Sequence, residues 1–201
     1  MKKIALVALL SAVVATPALA DNTGKFYGAV DLGSVSFSNA TSGMGSNAAF
    51  PNPGAFRFAA GYNITPMFAV EAGYAMIGDS KIDTVNAQGV AGINTTETVK
   101  SSSLSVAGVA NYAINDAFGV FGKLGFANSK IDYTCTATGG FTCTSSSGSK
   151  TALLLGVGAQ YNINKQFAIR AQYEDFGKVT VGNGGPGVGI KMVSVGAAYN
   201  F

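Results

Sequence analysis

The side chains in this 201-residue chain that could carry chemistry are few, and the missing ones decide most. No histidine is present, which removes the Ser-His-Asp triad and the Cys-His pair together. Acid–base work would fall to carboxylates, with Glu71 or Glu174 beside a polar partner able to hold or release a proton. Cys135 and Cys143 are the two thiols, and without a nearby imidazole they leave a zinc site incomplete. Gly182-Asn183-Gly184-Gly185-Pro186-Gly187 fits the letters of GxGxxG, which binds a dinucleotide only between a strand and a helix. Here it sits in a loop ahead of a terminal strand. No cofactor and no metal are expected.

The elements that must hold these groups announce themselves by repetition. One phrase recurs as Ala60-Gly61-Tyr62-Asn63-Ile64, Ala110-Asn111-Tyr112-Ala113-Ile114, Ala159-Gln160-Tyr161-Asn162-Ile163 and Ala197-Ala198-Tyr199-Asn200-Phe201. After the first three copies, a few polar residues lead into a second apolar alternation starting at Phe68, Phe118 and Phe167. Period-two alternation predicts eight strands, over 25–37, 55–64, 67–78, 102–114, 117–129, 151–163, 166–177 and 190–201. Short turns are expected at Thr65-Pro66, Asn115-Asp116 and Asn164-Lys165, and long polar loops at 38–54, 79–101, 130–150 and 178–189. Alternating tight turns and long loops suit an antiparallel barrel that crosses a membrane, with turns and both termini in the periplasm and loops outside.

Composition agrees. Lys2 and Lys3, an apolar run from Ile4 to Val14, and Ala18-Leu19-Ala20 predict a secretory signal over 1–20 and a barrel domain over 21–201. Removing it takes two lysines from the formal charge of +3, so no basic face remains for nucleic acid. Charged residues are 11% of the chain, against about 25% in soluble domains. In an exported protein, Cys135 and Cys143 are expected to pair as a disulfide.

Face assignment separates the two solvents. Even-numbered residues of the first five strands are apolar (Phe68, Val70, Val106, Leu124), and odd-numbered ones of the last three (Leu155, Val157, Tyr199). The opposite face carries Asn111, Gln160 and Gln172 together with six charged residues, Asp31, Arg57, Glu71, Lys123, Arg170 and Glu174, three of each sign. Enclosed charges must be paired, because a lone ion in a low-dielectric interior is very costly. A neutral internal network is therefore favoured over a catalytic carboxylate. Gly73, Gly125, Gly156, Gly158 and Gly196 on the same face leave room for water, which keeps a narrow conduit open as the alternative.

With its signal sequence, eight alternating strands, Phe121-Gly122-Lys123-Leu124-Gly125-Phe126-Ala127 after a short turn, and terminal AAYNF, the chain resembles the OmpA-like and opacity-protein-type outer-membrane barrels. The resemblance covers the whole mature chain. It implies an all-β, eight-stranded antiparallel up-and-down barrel in the outer membrane of a Gram-negative bacterium. It also implies that Tyr199 and Phe201 are read by the barrel-assembly machinery. Barrel enzymes that trim or acylate lipid A use a catalytic histidine, and this chain has none. The expected role is structural or surface display by a monomer. Its partners are expected to be outer-membrane lipid, lipopolysaccharide and an external or host ligand at the second and third loops; the alternative is a porin-like channel.

Overall fold

The computed structural model describes residues 22–38, 52–85, 92–139, 142–180 and 187–201. The predicted signal over 1–20 and residues 182–186 of the glycine-rich loop lie outside them. Eight strands follow one another: β1 (Phe26–Ser38), β2 (Gly54–Asn63), β3 (Phe68–Thr84), β4 (Thr95–Ala113), β5 (Phe118–Ala137), β6 (Ser146–Asn162), β7 (Phe167–Val179) and β8 (Val188–Asn200). Each pairs antiparallel with its sequence neighbour, and β8 returns to β1 to close the barrel. Closure matters in hydrocarbon, where an unpaired edge has no water to satisfy it.

The three turns predicted to be tight are built alike. Thr65 Oγ1, Asn115 Oδ1 and Asn164 Oδ1 each accept bonds from the backbone N–H groups two and three residues later, at 2.7–3.2 Å. A side chain that bonds its own backbone in this way supplies the turn with internal partners. Beside the turns the repeated aromatics pair ring to ring: Phe26 with Tyr62, Phe118 with Tyr161 and Phe167 with Tyr199, each at 4.9 Å. They form the aromatic belt expected where hydrocarbon meets water.

The wall divides as predicted. Phe68 is 53% exposed, Val106 62% and Leu155 50%, while Glu71 and Lys123 are buried. The exposed apolar residues of the strands are even-numbered through β5 and odd-numbered from β6, so their change of face falls between those two strands.

The extracellular ends depart from expectation. β3 to β6 run 17, 19, 20 and 17 residues, so most of 79–101 and 130–150 is strand rather than loop. Ladder pairing of β3 with β4 continues to Thr84↔Thr95, and that of β4 with β5 to Thr95↔Ala137. Beyond the membrane both solvents are water, so outward residues turn polar (Lys81, Asp83, Thr96, Lys100) and inward ones apolar (Ile82, Val99, Ile131). On β4 and β5 the pleat persists while its polarity reverses. On β3 a bulge between Ile77 and Ser80 also swaps which parity faces inward, and together these hide the strands from a search for apolar outer faces. β2 is only ten residues long, and the β6–β7 ladder stops at Leu155↔Asp175. The β3–β6 sheet therefore rises above its neighbours.

Candidate functional site in the barrel lumen

At mid-barrel the six charged residues singled out from sequence come together, all buried. Arg57 on β2 donates to Asp31 on β1 at 3.0 Å and to Glu71 on β3 at 2.6 Å. Lys123 on β5 donates to Glu71 at 2.7 Å and to Glu174 on β7 at 3.2 Å. Arg170 on β7 grips Asp31 through Nε and Nη2 at 2.7 and 2.6 Å, and reaches Glu71 through Nη1 at 3.0 Å. Arg57 Nε and Glu174 Oε2 stand 3.3 Å apart without hydrogen-bond geometry. Three cations meet three anions, so the layer is formally neutral.

Two neutral side chains join them: Tyr27, which escaped the sequence, and Gln172, which the sequence places on the enclosed face. Tyr27 donates to Glu71 Oε2 at 2.9 Å, and Gln172 links Lys123 to Asp31 at 2.7 and 3.2 Å. Tyr27 shares parity with Asp31 on its own strand, a signal too weak alone to mark it. Gly61 lies under the Tyr27 ring, and any Cβ there would collide with it.

Below this layer a periplasmic cup of about 420 Å³ is lined by amides, among them Asn63, Asn111, Gln160 and Asn162, and floored by Glu71, Lys123 and Arg170. Above it lies a shell of Val35, Ile77, Val99, Ile131, Leu154, Phe176, Ile190 and Met192, each buried in the interior. Between the two, Ser103 and Ser129 share a hydrogen bond of 2.9 Å. The glycines expected to leave room for water do not. A Cβ at Gly73 would meet Arg57, at Gly156 Lys123 and Glu174, at Gly158 the Phe121 ring, and at Gly196 Asp31. At Gly125 it would meet the β4 backbone. Their missing side chains are occupied volume, so the room expected beside them is filled.

Outside that shell, Cys135 and Cys143 form the disulfide that joins β5 to the approach of β6. Glu97 pairs in register with Cys135 and is fully buried. It falls in the stretch read as the second loop, where only continued alternation (Thr95, Glu97, Val99) could have found it. Tyr199 and Phe201 stack edge to face at 5.0 Å on the outer wall, and the Phe201 N–H donates to Phe26 O at 3.0 Å. Among the described residues, no cluster of three or more acidic, cysteine or histidine side chains is placed to hold a metal.

Residues 5–201 match the family model for the outer membrane protein beta-barrel domain. No curated protein matches the sequence. Among solved structures, Ail of Yersinia pestis, crystallised in one case with the heparin analogue sucrose octasulfate, is 20% identical with a TM-score of 0.54. That similarity covers 89% of this chain and 99% of Ail. Neisserial surface protein A is 19% identical at a TM-score of 0.53, covering 88% and 97%. OprG of Pseudomonas aeruginosa is 13% identical at 0.55, covering 89% and 96%. At such identities the likeness is one of fold.

Proposed function

The chain belongs to the outer membrane protein beta-barrel domain family, and from that premise we propose that it displays a rigid extracellular sheet on a plugged outer-membrane barrel. The observation that carries this function is the extension of β3–β6 beyond the span, tied by the Cys135–Cys143 disulfide. Strand-borne side chains are held more firmly than those of loops, and firm presentation lowers the entropy cost of binding a partner. Lys81, Lys130 and Lys150 stand exposed on these strands, and a solved relative holds a sulfated sugar analogue. A polyanionic surface ligand, such as a sulfated glycan, is the partner class this supports.

No catalytic activity is part of this function. Lipid and lipopolysaccharide surround the wall, and the assembly machinery recognises Tyr199 and Phe201. The porin-like alternative is disfavoured by the neutral charge layer and the apolar shell stacked upon it.

Two measurements test the proposal. Purified barrel in a planar bilayer should give no reproducible conductance step, whereas a step altered by Arg57→Ala or Lys123→Ala would favour the channel. Replacing residues 79–101 and 130–150 with short turns should abolish binding of the folded barrel to a heparin surface; unchanged binding rejects the display function.

A further inference from the structure

Among the described residues, the outer mouth of the barrel contains four buried oxygens without a partner in hydrogen-bond geometry: both carboxylate oxygens of Glu97, which the Tyr133 hydroxyl faces, Thr95 Oγ1 and Thr84 Oγ1. They come from one patch of inner wall. Thr84 and Thr95 are directly opposed in the β3–β4 ladder, and Ile82↔Glu97 is the next inward-facing pair. Opposed side chains start about 5 Å apart, and diagonal ones about 7–8 Å, so these oxygens can converge on one small ligand.

Among the described residues, no cation answers the carboxylate. Inward residues beside it are Ser80 and Ile82 on β3, Val99 on β4, and Ile131, Tyr133 and Cys135 on β5. Lys81, Lys100 and Lys130 on the same strands are exposed. The segments 86–91 and 140–141 contain neither lysine nor arginine. An ionised carboxylate withdrawn from water needs either a proton or a positive charge.

We propose that Glu97, Thr84 and Thr95 form a binding site for a divalent hard cation, calcium or magnesium, at the extracellular end of the barrel. The donor set is all oxygen and carries one negative charge, the ligand chemistry such ions choose. A proton would answer one of the four oxygens, whereas a metal ion engages several at once and leaves room for water in its shell. With a single carboxylate the affinity is modest, a Kd of about 0.1–1 mM, the range of extracellular calcium modules. The disulfide at Cys135, in register with Glu97, fixes one wall of the site. Bound cation would lock β3, β4 and β5 together where the β2 ladder no longer supports them.

Terbium is a suitable probe because Tyr133 lies beside Glu97 and the chain has no tryptophan. Folded barrel in neutral detergent free of lipopolysaccharide is titrated with terbium under tyrosine excitation, then with calcium. Saturable emission that calcium displaces is expected, weakened at least tenfold in affinity by Glu97→Gln and dimmed by Tyr133→Phe. Absence of saturable emission, or equal affinity in Glu97→Gln, overturns the site. An infrared carboxylic-acid band at neutral pH in millimolar calcium, removed by Glu97→Gln, also overturns it, because the proton would then hold the place of the metal. Should Glu97→Gln lose its heat-modifiable gel shift, Thr95→Val decides: a several-fold calorimetric loss of calcium affinity supports the site, and an unchanged affinity rejects it.

Discussion

Arg170 reaches Asp31 across Gly196, the one β8 residue in register with both. Three strands and the closing seam of the barrel therefore meet at a position with no side chain. A methyl group there would strike the Val30 carbonyl and the Asp31 carboxylate. Gly196→Ala is expected to lower stability by about 1–3 kcal/mol, the usual cost of overpacking. Urea unfolding followed by the heat-modifiable gel shift measures it; an unchanged midpoint would mean that the seam yields freely.

Glu71 is the most connected anion, bonded to Arg57, Lys123, Arg170 and Tyr27. Glu71→Gln is expected to cost about 3–5 kcal/mol, because removing one partner strands buried opposite charges. Asp132→Asn, which breaks the exposed rim pair with Lys130, should cost less than about 1 kcal/mol. The two variants compared in one urea series separate lumen from rim; equal losses would contradict the burial.

Val157 faces outward and Gly158 inward, under the Phe121 ring. Val157→Arg should destabilise insertion by about 2–4 kcal/mol, the cost of a cation at mid-membrane. Gly158→Arg should fail differently, by collision, and Phe121→Ala should partly restore it. Folding yields into vesicles report both. Rescue of Val157→Arg by Phe121→Ala would contradict the face assignment.

Tyr133 gives a pH signature. Burial first, and the Glu97 carboxylate second, push its hydroxyl up to about 12. The folded state thus holds this proton beyond the unfolded value near ~10. The contribution to stability is complete below that lower value and is lost as pH rises through about 12. Glu97→Gln should return the titration toward ordinary tyrosine, read as the tyrosinate absorbance that Tyr133→Phe abolishes. An unmoved titration would remove Glu97 as a cause.

The wall was legible because lipid imposes one rule on every outward residue, and eight strands obeyed it. The six lumen charges followed from the same parity, since an ion excluded from lipid has nowhere else to go. Less visible were Val99 and Ile131. Their strands leave the bilayer while still paired, and there the outer face becomes polar and the inner face apolar, as in a soluble barrel. Glu97 was lost for the same reason. Tyr27 was missed because a neutral side chain joining an ionic cluster leaves no mark on charge count or hydropathy.

The shell from Val35 to Met192 also bears on abundance. Under the proposed display function, a cell that coats itself with this protein would gain area for contact without gaining pores, since each added copy would bring its own stopper. Dense expression would thus leave osmotic balance and exclusion of toxic solutes untouched. Copy number can then be set by adhesion alone.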